Sequence, residues 1–138
     1  MTEQELQYGE QLRAESGTML YKPGDPLSGT SIYYIVAGMV RLDLPLTGGD
    51  RLSVYLHPDS VFGLVETLLA RPRLTGAYCL ESTILYQWDR EGFDLASSVS
   101  WELAYNTITG MTQYLRILNA EFSSRLRPSG AEATRVGA

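Results

Sequence analysis

Cysteine and histidine are almost missing from this chain, which has one of each, Cys79 and His57, in 138 residues. A lone cysteine excludes an intramolecular disulfide and a cysteine-ligated iron–sulfur cluster within one chain. One histidine and one cysteine fall short of the four ligands of an ordinary zinc site, so no metal is expected. No apolar run reaches the roughly 18 residues of a membrane-spanning helix. The opening stretch MTEQELQYGEQLRAE is polar and acidic, unlike a signal or transit peptide. The expected location is cytoplasmic, with no membrane partner. Basic charge is also short, with 11 Lys and Arg against 16 Asp and Glu and a net charge of -5. That balance argues against a free-standing nucleic-acid binder, which normally carries a basic patch.

The motifs of common enzyme classes are absent too. There is no Gly-x-Ser-x-Gly elbow, no Walker loop and no Rossmann fingerprint. Asp25, Asp43, Asp50, Asp59 and Glu66 are scattered, and no local spacing sets two carboxylates together. His57 stands before Pro58-Asp59 and reads as a turn residue rather than a catalytic base or haem ligand. Cys79, in the alternating stretch AYCLE, reads as a small buried hydrophobe. No catalytic residue is assigned, and a non-enzyme is expected. A cupin-like enzyme fits poorly because its metal site needs several histidines.

What is present is β texture. GTMLYK, SIYYIVAG, MVRLDLPL, RLSVYLH, LTGAYCL and STILYQW are short runs of strand formers, separated by turn-rich KPGDPLSGT, AG, TGGD and HPDSVFG. Spacings of about eight to twelve residues point to an all-β sandwich, barrel or jelly roll. Arg41 to Leu44 and Arg51 to Leu56 alternate, which gives each strand one wet face, whereas SIYYIVA reads as buried on both sides. Leu6 and Leu12 among polar neighbours suit a short N-terminal helical segment over 1–16. Asp89 is a plausible N-cap for a short helix, and Ser100 caps a long one that runs to about Leu126. Along it Trp101, Ala104, Ile108, Met111, Leu115, Leu118 and Phe122 fall at spacings of three and four, the seam of a coiled coil. The alternative for this stripe is packing onto the chain's own β-domain. The tail 127–138 contains Pro and Gly without a hydrophobic pattern and is expected to be disordered.

Residues 61–77, VFGLVETLLARPRLTGA, hold the candidate site. A strand end turns at Gly63, a short apolar helix spans about 63–70, and Arg71-Pro72-Arg73 ends it. A glycine at the start of such a helix lets backbone N–H groups approach an anion, and a following arginine can hold a phosphate bidentately. The same residues also suit a turn, a helical bridge and a solvated arginine. Composition and spacing leave both readings open.

Phe62-Gly63 and Pro72-Arg73, with Thr75 as the small polar residue after the arginine, resemble the phosphate-binding cassette of cyclic-nucleotide-binding domains. That family includes CRP/FNR-type regulators and the regulatory subunits of protein kinase A. Lys22 to Asp25, Ile32 to Arg41 with Gly38 as a turn glycine, Val54 to Leu56 and Glu81 to Leu85 resemble other strands of the family. The similarity covers about 17–126. It implies a mainly β fold, a double-stranded β-helix or jelly roll of about eight strands over 17–99. Short flanking helices and a C-terminal dimerisation helix over 100–126 complete it. It also implies a regulatory function, with a small anionic effector, cyclic AMP, cyclic GMP or another, bound near Gly63, Leu64, Val65, Arg73, Leu74 and Thr75. Arg73 and the Gly63–Val65 backbone would hold the anion, while Thr107, Thr109 or Thr112 of the helix reach its other end.

Two departures qualify this. The cassette glutamate position holds Leu64, and an unpaired ligand hydroxyl there costs about 1–3 kcal/mol. Asp59 replaces a glycine usual before the cassette and adds negative charge. Only twelve residues follow Leu126, too few for a helix-turn-helix module, so DNA binding by this chain as given is not expected. The partner expected is a second copy. The rival reading is a ligand-free roll serving as an interaction module for a protein partner, its pocket filled by Leu64, Leu68 and Tyr55.

Overall fold

The computed structural model describes residues 8–126, with the backbone alone at 117, 118, 121, 122 and 124–126. Within them lie β1 (Glu10–Ala14), β2 (Met19–Tyr21), β3 (Ile32–Ala37), β4 (Val40–Pro45), β5 (Arg51–Leu56), β6 (Val61–Phe62), β7 (Gly76–Cys79) and β8 (Thr83–Trp88). Three helices follow the same chain order: α1 (Leu64–Leu69), α2 (Arg90–Val99) and α3 (Trp101–Leu126). The strands form two antiparallel sheets, β1-β8-β3-β6 and β2-β7-β4-β5. This is the mainly β, two-sheet roll that the family resemblance implies, within the all-β forms that the strand spacing leaves open.

Two hydrophobic clusters explain which strands are apolar on one face and which on both. Between the sheets, Tyr33, Ile35, Phe62 and Leu85 of one meet Tyr21, Val40, Leu42, Ala77 and Cys79 of the other. The outer face of the first sheet is covered by helices, where Ile32, Tyr34, Tyr86 and Trp88 pack with Leu64, Phe93, Ala96 and Leu103. β3 therefore contributes to both cores, and its run from Ile32 to Ile35 is buried without alternation. On the second sheet β5 keeps its alternation, with Leu52 and Val54 buried and Arg51 and Tyr55 exposed. Asp43 on β4 is buried where a wet position is expected. It is satisfied by Arg41 at 3.0 Å, Arg51 at 3.4 Å and Ser53 at 2.7 Å.

The N-terminal expectation needs correcting. Residues 10–14 are not helical; they form β1, with Leu12 opposite Leu85 and Ala14 opposite Thr83. The free edge of β8 offers a ladder of backbone groups, and pairing with it overrides a weak helical pattern. Residues 1–7 and the tail 127–138 lie outside the described residues.

The connections behave as their residues dictate. Gly38 turns β3 into β4 at φ +102, where a Cβ would stand 2.5 Å from Thr83 Oγ1. Asp89 caps α2 by accepting from the Gly92 N–H at 2.6 Å, and Ser100 accepts from the Leu103 N–H at 3.1 Å at the start of α3. These two caps aim α3 back across the helical face of the first sheet, where Leu103 is fully buried. Leu103→Ala is expected to lower stability in urea unfolding by about 2–5 kcal/mol. Glu102→Ala, one position round on the exposed side, should cost under about 0.5 kcal/mol. Equal, small losses would mean that the helix is not docked.

Candidate functional site

The site is built around the turn from β6 into α1. Gly63 adopts φ +81, and a Cβ there would collide with the Ser31 carbonyl oxygen and stand 2.9 Å from Arg73 Nη1. Only glycine meets both demands. α1 lasts six residues and stops at Ala70, itself left-handed at φ 51, which sends the chain back through Pro72 to Arg73. The backbone of Arg73 is then strapped to the Lys22–Asp25 turn. Its N–H donates to Asp25 O at 2.9 Å and its carbonyl accepts from Gly24 at 2.7 Å, while Asp25 accepts from the Lys22 N–H at 2.9 Å.

The Arg73 side chain turns into the protein, leaving the residue 4% exposed. Nη1 donates to Gly63 O at 3.1 Å and to Glu66 Oε1 at 3.1 Å, and Nη2 donates to Ser31 O at 2.8 Å. The Tyr21 ring covers one guanidinium face, 4.0 Å from its carbon to the ring centre. Thr67 Oγ1 donates to Gly63 O at 2.8 Å and lies 2.8 Å from Ser31 Oγ, closing the network. A buried charge without such partners is untenable, and Glu66, also buried, supplies the opposite sign.

In front of this network opens a cavity of about 370 Å³. Leu42, Val54 and Leu56 of the second sheet, with Phe62, Leu64 and Val65 of the cassette, form its apolar wall. Gly110, Met111, Gln113 and Tyr114 of α3 close the other side, and His57, Ser60, Glu66 and Thr75 bring polar groups to it. Burial, reinforced by the Glu66 carboxylate, pushes the Tyr114 phenol up to about 12. Burial raises Tyr21 further, against the opposing pull of Arg73. The Tyr21 hydroxyl, buried near Thr75, meets no partner in hydrogen-bonding geometry.

Of the residues singled out in the sequence, Gly63, Leu64, Val65 and Thr75 come together on the cavity wall. Arg73 does not line it; the guanidinium sits behind Gly63, Glu66 and Tyr21. Leu74 is 44% exposed and Thr109 half-buried, and neither lines the cavity. Thr107 is buried and donates to Leu103 O at 2.7 Å, and exposed Thr112 donates to Ile108 O at 3.0 Å. Helical rotation is the reason: positions 103, 107, 111 and 114 share the inward face, so α3 presents Met111 and Tyr114 instead of these threonines.

The same rotation divides the seven seam positions. Trp101, Ile108 and Leu115 are exposed at 79%, 66% and 61%. Ala104 is half-buried, and Met111 packs on the chain's own helix-covered core. The side chains of Leu118 and Phe122 lie outside the described residues. Of the three side chains expected to fill the pocket, Leu64 and the half-exposed Tyr55 line the cavity, Leu68 points to solvent at 47% exposure, and the cavity stays open. Sequence reasoning missed Glu66 as the partner of Arg73, together with Ser31, Thr67, Tyr21 and Tyr114. A stripe at spacings of four, four and three from Leu103 to Tyr114 was the available signal for the last.

Arg73→Met leaves Glu66 buried without its counter-charge and is expected to cost about 3–5 kcal/mol in chemical unfolding. Adding Glu66→Gln should recover more than half of that; strict additivity of the two losses would contradict the pairing. Tyr114 gives a pH prediction. Its folded value is raised, so its contribution is complete below about pH 10 and is lost as pH rises through about 12. The alkaline fall in stability should therefore be shallower in Tyr114→Phe, and superimposable curves would count against the burial of this phenol.

No group of three or more metal-ligating side chains occurs among the described residues, and no described helix is long and apolar enough to cross a membrane. The cyclic nucleotide-binding domain pattern matches residues 11–96. No curated protein matches. Among solved structures, the Thermus thermophilus catabolite activator protein is 25% identical with a TM-score of 0.68 over 86% of this chain and 55% of its own. The chain thus spans about half the length of that relative. The heme domain of CooA from Carboxydothermus hydrogenoformans shares the fold at 14% identity and a TM-score of 0.71, over 88% of this chain and 84% of its own. A cAMP-binding acyltransferase from Mycobacterium smegmatis is 25% identical with a TM-score of 0.57, over 63% of this chain and 27% of its own. The match to the family pattern spans the two sheets, the Gly63 turn and the Arg73 return, and on it this chain belongs to the cyclic-nucleotide-binding domain family.

Proposed function

We propose that this chain is an effector-sensing regulatory domain, in which a small molecule enters the cavity and α3 carries the response to a second copy. The observation that carries the reading is the shared wall: cassette residues Gly63 to Glu66 and α3 residues Gly110, Met111, Gln113 and Tyr114 line one cavity. An occupant must touch both, so its affinity depends on where α3 sits. Differential affinity of that kind is what shifts a conformational equilibrium. Gly110 supports the reading, because nothing stands within 4 Å of a Cβ added there and a glycine inside a helix costs about 1 kcal/mol relative to alanine.

The output face is the opposite side of α3. Trp101, Tyr105, Ile108 and Leu115 form an exposed apolar stripe at spacings that bring them onto one side. A second copy of α3 is the occupant that its heptad spacing fits. The domain acts in the cytoplasm and performs no chemistry of its own; any DNA contact is left to other parts of the assembly. Cyclic AMP and cyclic GMP are the first effectors to try on family grounds. Arg73, the residue expected to take their phosphate, is already engaged by Glu66, so an anionic effector must displace that carboxylate.

Thermal unfolding of the purified chain tests the reading with cyclic AMP, cyclic GMP, adenosine and the uncharged fluorophore N-phenyl-1-naphthylamine. At least one should raise the melting temperature, and Gly110→Leu, which fills the cavity from α3, should abolish the rise while remaining folded. No shift with any of them would sink the effector reading. Sedimentation tests the output face: Ile108→Asp should shift a dimer towards monomer without lowering the helix content. Identical sedimentation of the two proteins would remove the helix stripe from the account.

A further inference from the structure

We propose that Glu66 determines ligand class in this cavity. Its carboxylate occupies the cassette guanidinium, so the site turns away a phosphodiester and accepts an uncharged, largely apolar effector. This rests on the reading of the cavity as the effector site.

The charge balance makes the case. Arg73 and Glu66 are both buried and face each other at 3.1 Å, so the pair brings no net charge to the cavity. No Lys or Arg among the described residues lines the cavity. The nearby cations of β4 and β5, Arg41 and Arg51, are held by Asp43. Glu66 itself lines the cavity while Arg73 does not, so an anion would meet the carboxylate first. Like charges brought together in a partly dry pocket repel far more strongly than in water. Displacing Glu66 is no remedy, because Arg73 is also fixed by Gly63 O, Ser31 O and the Tyr21 ring, and the freed carboxylate would remain buried. The phenols at the wall, Tyr21 and Tyr114, stay neutral, burial being the main reason for each. What remains for a ligand is an apolar surface from Leu42, Val54, Leu64 and Met111, with hydroxyl and amide groups, the His57 imidazole and one carboxylate at its polar end.

Adenosine and cyclic AMP share a base and sugar and differ in the charged phosphodiester, so they isolate the effect. Each is titrated against N-phenyl-1-naphthylamine bound to the wild-type chain, to Glu66→Gln and to the double variant Glu66→Gln, Arg73→Ala. In the wild type adenosine should displace the fluorophore at concentrations at least tenfold below those of cyclic AMP. In Glu66→Gln the affinity for cyclic AMP should rise at least tenfold, and the double variant should lose that gain. Displacement of the wild-type probe by cyclic AMP as readily as by adenosine overturns the proposal, and so does a folded Glu66→Gln with no gain. Should Glu66→Gln fail to fold, the wild-type comparison decides alone. A fluorophore that does not bind wild type, or binds Gly110→Leu equally well, overturns the effector-site reading and this proposal with it. Probe binding at the cavity without the charge preference overturns only the role of Glu66.

Discussion

A guanidinium carried into a protein interior costs several kcal/mol unless an opposite charge and well-placed oxygens receive it. In this chain that requirement organises the region between the Lys22–Asp25 turn and β7. Arg73 needs the Glu66 carboxylate, the Gly63 and Ser31 carbonyls and the Tyr21 ring around it. Those partners fix the turn at Gly63, the length of α1 and the return through Pro72. A side chain at position 63 would collide with the Ser31 carbonyl oxygen that the arginine holds and with the guanidinium itself. The cassette is therefore held together by contacts within its own chain.

With the cassette held in this way, α3 is the movable wall of the cavity in the proposed reading. Its first turns are locked by Ser100 and by Leu103 in the helix-covered core. Further along, Gly110 leaves space, and Met111 and Tyr114 reach the cavity as well as the packed clusters on either side. The exposed stripe from Trp101 to Leu115 lies on the far side of the same helix. In the proposed reading, a change in how the inner face packs would be carried to the outer face by this single element, with no need for a relay through the sheets.

Much of the fold was legible because the chain marks its turns and caps with the residues that need them. Gly38, Asp89 and Ser100 each do what local chemistry requires, and six strand runs appear where β-formers cluster. β1 was not legible: nothing in Glu10–Ala14 announces a strand, and the pairing comes from the edge of β8, some 70 residues away. At the site, Gly63 and Thr75 could be placed from the turn and its return. The orientation of Arg73 could not, since a buried and a ligand-facing arginine look alike in sequence. Glu66 reads in sequence as one of several scattered carboxylates, and only the turn of α1 away from position 64 brings it to Arg73. On α3 two apolar stripes overlap, and spacing alone could not say that Met111 turns inward while Ile108 and Leu115 turn out.

The central claim is that the cavity and the outer face of α3 respond together. It is tested most directly by solution NMR on the chain with labelled Met, Ile and Leu methyl groups, titrated with N-phenyl-1-naphthylamine. The account predicts that Met111, at the cavity wall, shifts in step with Ile108 and Leu115 on the exposed side, while Met19 and Met39 stay still. Movement of Met111 with Ile108 and Leu115 unchanged would show a ligand pocket that is not coupled to the helix face, and would contradict the account.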